Sequence, residues 1–153
     1  MLSEAKRAGN TTLHTAIVVA LETAMRQGEI LKLKWSDVDF EKRQIIVRDT
    51  KNGSNRLVAM SSSLEAHLTA VQKPTDCLFA ITSSGLQHAF KRLVKQLQMH
   101  DLRFHDLRHE AISSFFEMGL SVPEVQLMSG HRTLDQLMRY SHARLEEIKR
   151  KVG

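Results

Sequence analysis

The chain has 153 residues, 42% of them hydrophobic and 25% charged, with a formal net charge of +5. That length fits one domain and that apolar fraction supports a core, which sets aside a disordered polyelectrolyte. No apolar run reaches the roughly 18–20 residues of a membrane span, and the single Cys77 cannot close an internal disulfide. No basic-then-apolar leader is read at the start of the chain, so the expected setting is a reducing cytoplasm. A pI of about 9.6 favours polyanionic partners, with nucleic acid first and an anionic membrane surface second.

Taken in chain order, the first clear helix follows Asn10, Thr11 and Thr12, which can cap it. Leu13, Ile17, Ala20, Leu21 and Ala24 recur at helical spacing. Gly28 interrupts, and 29–35 reads as a second short helix, so Arg26 falls at a junction. The pattern then shifts to three short strands over 38–40, 44–48 and 56–60, with Ile45, Ile46, Val47, Leu57 and Val58 supplying β-favouring side chains. Asn52 and Gly53 mark a hairpin turn between the second and third strands, with Lys51 beside it. Helices are expected over 64–71, stopped before Pro74, and over 86–97. Another is expected over 104–118. Ser121 with Glu124, and Pro123 in the first turn, open a helix that Gly130 ends. Thr133 with Gln136 opens one more, and a last polar helix follows His142. The expected fold is α+β and mainly α, with a small three-stranded antiparallel sheet.

The stretch 104–118 carries the most chemistry. Phe104, Leu107, Ala111, Ile112, Phe115 and Phe116 form its apolar stripe, and on a 3.6-residue wheel His105 and Arg108 fall inside that arc. An arginine is seldom buried without a partner. Two readings are open: a core ion pair with a carboxylate such as Glu29, or a recessed anion site on which His105 and Arg108 converge. His131 lies in a connector and by itself reads as a loop histidine. Tyr140, the single tyrosine, by itself reads as a half-buried aromatic. Together, Arg26, Lys51, His105, Arg108, His131 and Tyr140 offer cationic groups, a hydrogen-bond donor and a nucleophile. That set suits phosphoryl transfer without a metal.

At this point the sequence resembles a known family. The stretch around Arg26 from Thr23 to Leu31 is similar to the first arginine box of the tyrosine recombinases. Thr50, Lys51, Asn52 and Gly53, with Arg56 following, resemble their lysine hairpin. His105-Asp106-Leu107-Arg108-His109 resembles their histidine-arginine box. Gly130-His131-Arg132-Thr133 and then Tyr140-Ser141-His142 resemble their closing box. The boxes run in order over almost the whole chain, and none of the six key positions is substituted. The resemblance implies the catalytic domain of a site-specific DNA recombinase or integrase, of the DNA breaking-rejoining fold, occupying residues 1–153. It implies that a family member's N-terminal core-binding domain is absent, so that the chain is a fragment. It further implies that Tyr140 attacks the scissile phosphate to form a 3′-phosphotyrosyl bond. Arg26 and Arg108 would clamp the non-bridging oxygens, and Lys51 would protonate the departing 5′ oxygen. His105 would assist proton transfer, and His131 would hydrogen-bond the phosphate. No cofactor, metal or ATP is implied. The implied partners are double-stranded DNA and further copies of the protein on it, with no membrane.

Two other readings are kept. Residues 121–130, a turn and 133–140 read as a helix-turn-helix, which would make the protein a DNA-binding module with Tyr140 in its core. A type IB topoisomerase-like relaxase would share the chemistry. Metal-based readings are less favoured. His105 and His109 have metal-ligand spacing, but Arg108 beside them would repel a cation. Asp37 and Asp39 have no evident third carboxylate and read as turn or surface residues.

Overall fold

A computed structural model describes residues 1–48, 54–71, 73–140 and 145–153. The described elements are α1 (Leu2–Arg7), α2 (Thr11–Thr23), α3 (Gln27–Leu31), a 3-10 turn (Trp35–Asp37), β1 (Val38–Asp39), β2 (Gln44–Arg48), β3 (Asn55–Ala59), α4 (Ser62–Ala70), α5 (Ser83–Gln96), α6 (Asp106–Glu117), α7 (Val122–Ser129), α8 (Asp135–Met138) and α9 (Leu145–Val152). The architecture is the expected one: mainly helical, with one three-stranded antiparallel sheet in the order β1-β2-β3.

Helix α2 is the hub. Asn10 caps it by accepting the Leu13 N–H at 2.9 Å. Its Leu13, Ala16, Ile17, Val19 and Ala20 are all buried, and it packs against α1, α4, α5 and α6. A helix apolar on most sides must be covered on most sides, which makes α2 an interior element. It ends at Ala24, whose φ of 56° is left-handed and uncommon for a residue with a Cβ. The Thr23 hydroxyl donates to the Val19 carbonyl at 2.6 Å and accepts the Met25 N–H at 3.2 Å, which ties the turn down.

In the sheet, Ile45 pairs with Val58 and Val47 with Arg56. Ile45, Val47 and Val58 are buried on the face toward the helices, the alternation expected of a one-sided sheet. Helix α7 packs on β3. It opens with a capping box between Ser121 and Glu124 and closes at Gly130, where φ is 71°.

Some boundaries differ from expectation. Helix α3 begins at Gln27 and contains Gly28, because the Glu29 carboxylate accepts the Arg26 N–H at 2.8 Å and so starts the helix two residues early. Helix α1 had no sequence forecast; Ala5 is the one residue it buries. Helix α8 spans four residues and has no side-chain cap from Thr133, since its N-cap is Leu134. That is too short for the recognition helix of a helix-turn-helix. Asp37 is buried and accepts from Arg48 at 2.7 Å, so it belongs to the sheet edge rather than the surface. Among the described residues, no helix is long and apolar enough to cross a membrane.

Candidate active site

Arg108 sits in the first turn of α6 and is 4% exposed. Its side chain crosses the core. Nη1 donates to the Ala24 carbonyl, and also to the Ser129 carbonyl at 2.7 Å. The left-handed Ala24 and the end of α7 thus present carbonyls to one guanidinium. Nη2 lies 3.3 Å from each ring nitrogen of His131, and the Ser129 hydroxyl is 2.7 Å from His131 Nδ1. Burial, and then the charge of Arg26, lower the Arg108 guanidinium to about 10, so it stays charged at neutral pH.

Of the two readings open for Arg108, the ion pair with Glu29 is not the one the structure forms. Glu29 is taken by Arg56, with Nη1 to Oε1 at 2.7 Å and Nη2 to Oε2 at 2.9 Å, a two-point pairing typical of arginine and carboxylate. Burial would raise the Glu29 carboxyl, but the Arg56 hydrogen bonds and the Arg26 N–H outweigh it and hold it below the usual range. Among the described residues, no carboxylate lies within ion-pair distance of Arg108. Arg56 also reaches toward the carbonyls of Met128 at 3.4 Å and Ser129 at 3.5 Å. Its guanidinium lies against Gly130, where a Cβ would come within 2.6 Å of Arg56 Cζ. Glycine at 130 suits the positive φ, and any side chain there would also push the Arg56 guanidinium aside.

Arg26 is exposed at the start of α3, with Nη1 3.4 Å from Glu29 Oε1. Its charge is near enough to depress both Arg108 and His131. His105 does not lie on the buried arc. It is the residue before α6 and is exposed, because a side chain at a helix end projects past the stripe that periodicity describes. Burial first, and then His109 and Arg108, lower its imidazole. A cavity beside it, about 400 Å³, is lined in part by Phe90, Lys91, Val94, Arg103 and Phe104.

Tyr140 follows α8 and is half-buried, stacked 6.4 Å from the Phe116 ring, with the Arg139 guanidinium 5.0 Å from its own ring centre. Its hydroxyl is hydrogen-bonded to His109 Nδ1. Arg108 and His131 are thus in contact, Arg26 is close by, and Tyr140 and His105 both border His109. Lys51 and the Asn52-Gly53 turn lie outside the described residues. Glu29, Arg56 and His109, which lie within or beside the resembled boxes but were given no role there, join the site. For His109, the available signal was its position one helical turn after His105.

Burial, and then Arg108 and Arg26, push His131 down to about 4, so it is neutral at pH 7. Its folded value lies below that of an unfolded histidine, so the unfolded chain takes the proton first as pH falls. The stability this group contributes is present above about pH 6.5 and is lost as pH drops toward 4. His14 and His67, lowered mainly by burial, act in the same direction. The urea midpoint should fall between pH 6.5 and 4, and His131→Gln should fall less steeply. Parallel curves for parent and variant would remove His131 from this account.

The model of the phage integrase family matches residues 1–147. A shufflon-specific DNA recombinase of Escherichia coli is 41% identical over 155 residues, covering 99% of this chain and 40% of that protein. The chain thus spans about two fifths of that relative's length. The catalytic domain of bacteriophage HP1 integrase superposes with a TM-score of 0.77 at 26% identity, covering 99% of this chain and 86% of that one. XerH site-specific recombinase, in a post-cleavage complex with palindromic difH substrate, superposes with a TM-score of 0.76 at 19% identity, covering 99% of this chain and 49% of that one.

Proposed function

Because the chain belongs to the phage integrase family, we propose that it is the catalytic unit of a site-specific recombinase, which cuts and rejoins duplex DNA through a bond between the Tyr140 oxygen and a 3′ phosphate. The observation that carries this reading is the Arg108 site. A guanidinium is buried with carbonyls and a neutral imidazole as partners, and a second arginine stands nearby. A buried positive charge without a carboxylate partner is costly, and an arriving phosphodiester anion supplies the missing charge.

Arg26 and Arg108 then bind the non-bridging oxygens, and His131 hydrogen-bonds the phosphate. Lys51 protonates the 5′ oxygen, and His105 assists proton transfer. Charge developing at phosphorus is met by fixed cations, the role metal ions play in two-metal nucleases. The energy of the broken phosphodiester is retained in the phosphotyrosine, so rejoining needs no ATP. The partner is double-stranded DNA in the cytoplasm, with further copies of the protein assembled on it.

The test is covalent capture. The chain is incubated with a pool of nicked duplexes of randomised sequence, which lose the short cleaved strand and cannot be resealed. A protein–DNA adduct should appear on a denaturing gel, and sequencing the trapped DNA should return a preferred site. The yield should be unchanged in excess EDTA. No adduct under any condition would overturn the reading, and an adduct that forms only with added magnesium would overturn its metal-free chemistry.

A further inference from the structure

The Tyr140 hydroxyl contacts neither arginine of the site. Its partner is His109, through Nδ1. The two rings lie nearly parallel, with centroids 6.1 Å apart and planes 23° apart, and the Phe116 ring stacks with the phenol at 16°. His105 meets the His109 ring edge-on at 5.1 Å and is itself exposed. The resemblance gave the proton-transfer role to His105. The side chain in contact with the nucleophilic oxygen is the next histidine along the helix.

On the reading of Tyr140 as nucleophile, we propose that His109 is a further catalytic residue, the base that takes the phenolic proton as Tyr140 attacks. The Oη–H bond breaks and its proton passes to Nδ1 of the imidazole. The oxygen's electron pair forms the new bond to phosphorus. The bond from phosphorus to the 5′ oxygen breaks, and its electron pair leaves on that oxygen, which takes its proton from the acid on the opposite side. In rejoining, the 5′ hydroxyl attacks, Tyr140 leaves as the oxyanion, and His109 returns the proton. His109 follows Arg108 directly on α6, so one helical turn fixes both the phosphate ligand and the base. Among the described residues, the charged or titratable groups in its surroundings include His105, which meets its ring, His131, which it influences, the adjacent Arg108, and Arg139 over the Tyr140 ring.

Adduct formation on the duplexes recovered by capture decides the matter. His109→Ala should slow the adduct rate by at least about 100-fold, the low end for loss of a general base, with melting temperature and non-covalent DNA binding near the parent's. His109→Gln retains a hydrogen-bond acceptor but cannot carry the proton, and it should be as slow as the alanine variant. Free imidazole should restore part of the rate to His109→Ala and none to His109→Gln. A His109→Ala rate within about threefold of the parent would overturn the proposal, and so would a fully active His109→Gln, which would leave His109 a purely positioning role. An inactive parent would instead remove the tyrosine-nucleophile reading, and this proposal with it.

Discussion

Tyr140→Phe should abolish adduct formation and leave the chain folded and bound to DNA. Tyr140 is the single tyrosine, so no neighbouring phenol can substitute for it. The change removes one oxygen and keeps the ring. The stack on Phe116 is retained, and among the described residues the hydroxyl gives up its hydrogen bond to His109, a loss of about 0.5–1.5 kcal/mol. Electrophoretic mobility shift should show unchanged affinity, while the denaturing gel shows no shifted band at any time. An adduct with the phenylalanine variant would move the nucleophile to another residue and end the assignment of Tyr140.

Arg108 is the second position where a large effect is expected, and here structure and activity should fall together. Arg108→Ala strands the Ala24 carbonyl in the interior, leaves the Ser129 carbonyl with only the long contact from Arg56, and removes the guanidinium beside His131. An unsatisfied buried group costs about 1–3 kcal/mol, so a loss of about 2–4 kcal/mol is expected in urea unfolding. Arg108→Lys keeps the charge but not the planar fork. An ammonium carries all its donors on one atom and cannot match the spread of the guanidinium fork toward two carbonyls from different segments and the two oxygens of a phosphate. It should therefore fold better than the alanine variant and yet form adducts at least about 100-fold more slowly than the parent, the scale of losing one preorganised donor to a charge developing in the transition state. Adduct rates in the lysine variant within a few-fold of the parent would show that charge alone suffices there.

Much of the fold was legible because its signals are local. Asn10, the pairing of Ser121 with Glu124, and Gly130 each mark a helix end through contacts within a few residues. The strands showed in runs such as Ile45 to Val47. What failed was tertiary or lay at element ends. His105 was assigned to a buried arc because the wheel assumes the helix already exists there, whereas α6 begins one residue later. The partner of Glu29 was not legible because Arg56 is 27 residues away on a strand, and no periodicity links the two. The buried arginine itself was legible, since a charge on an apolar stripe has few explanations. Its carbonyl partners were not, because Ala24 and Ser129 contribute backbone rather than side chains. His109 was visible as the last residue of the histidine-arginine box and as half of a metal-ligand spacing, neither of which gave it a role in the reaction, and no third metal ligand gathers around it among the described residues.

The contact between Arg56 and Gly130 has an evolutionary consequence. Any side chain gained at 130 must displace the guanidinium lying 2.6 Å from where its Cβ would be, and shortening residue 56 to make room releases Glu29. Neither position can drift alone. The first substitution in either order passes through a protein that has lost the clasp joining α3, β3 and the end of α7. The pair is therefore expected to be inherited as a unit, with mutational tolerance at each position conditional on the other. A deep mutational scan of both positions should find substitutions at 130 better tolerated where residue 56 is small than where it is arginine.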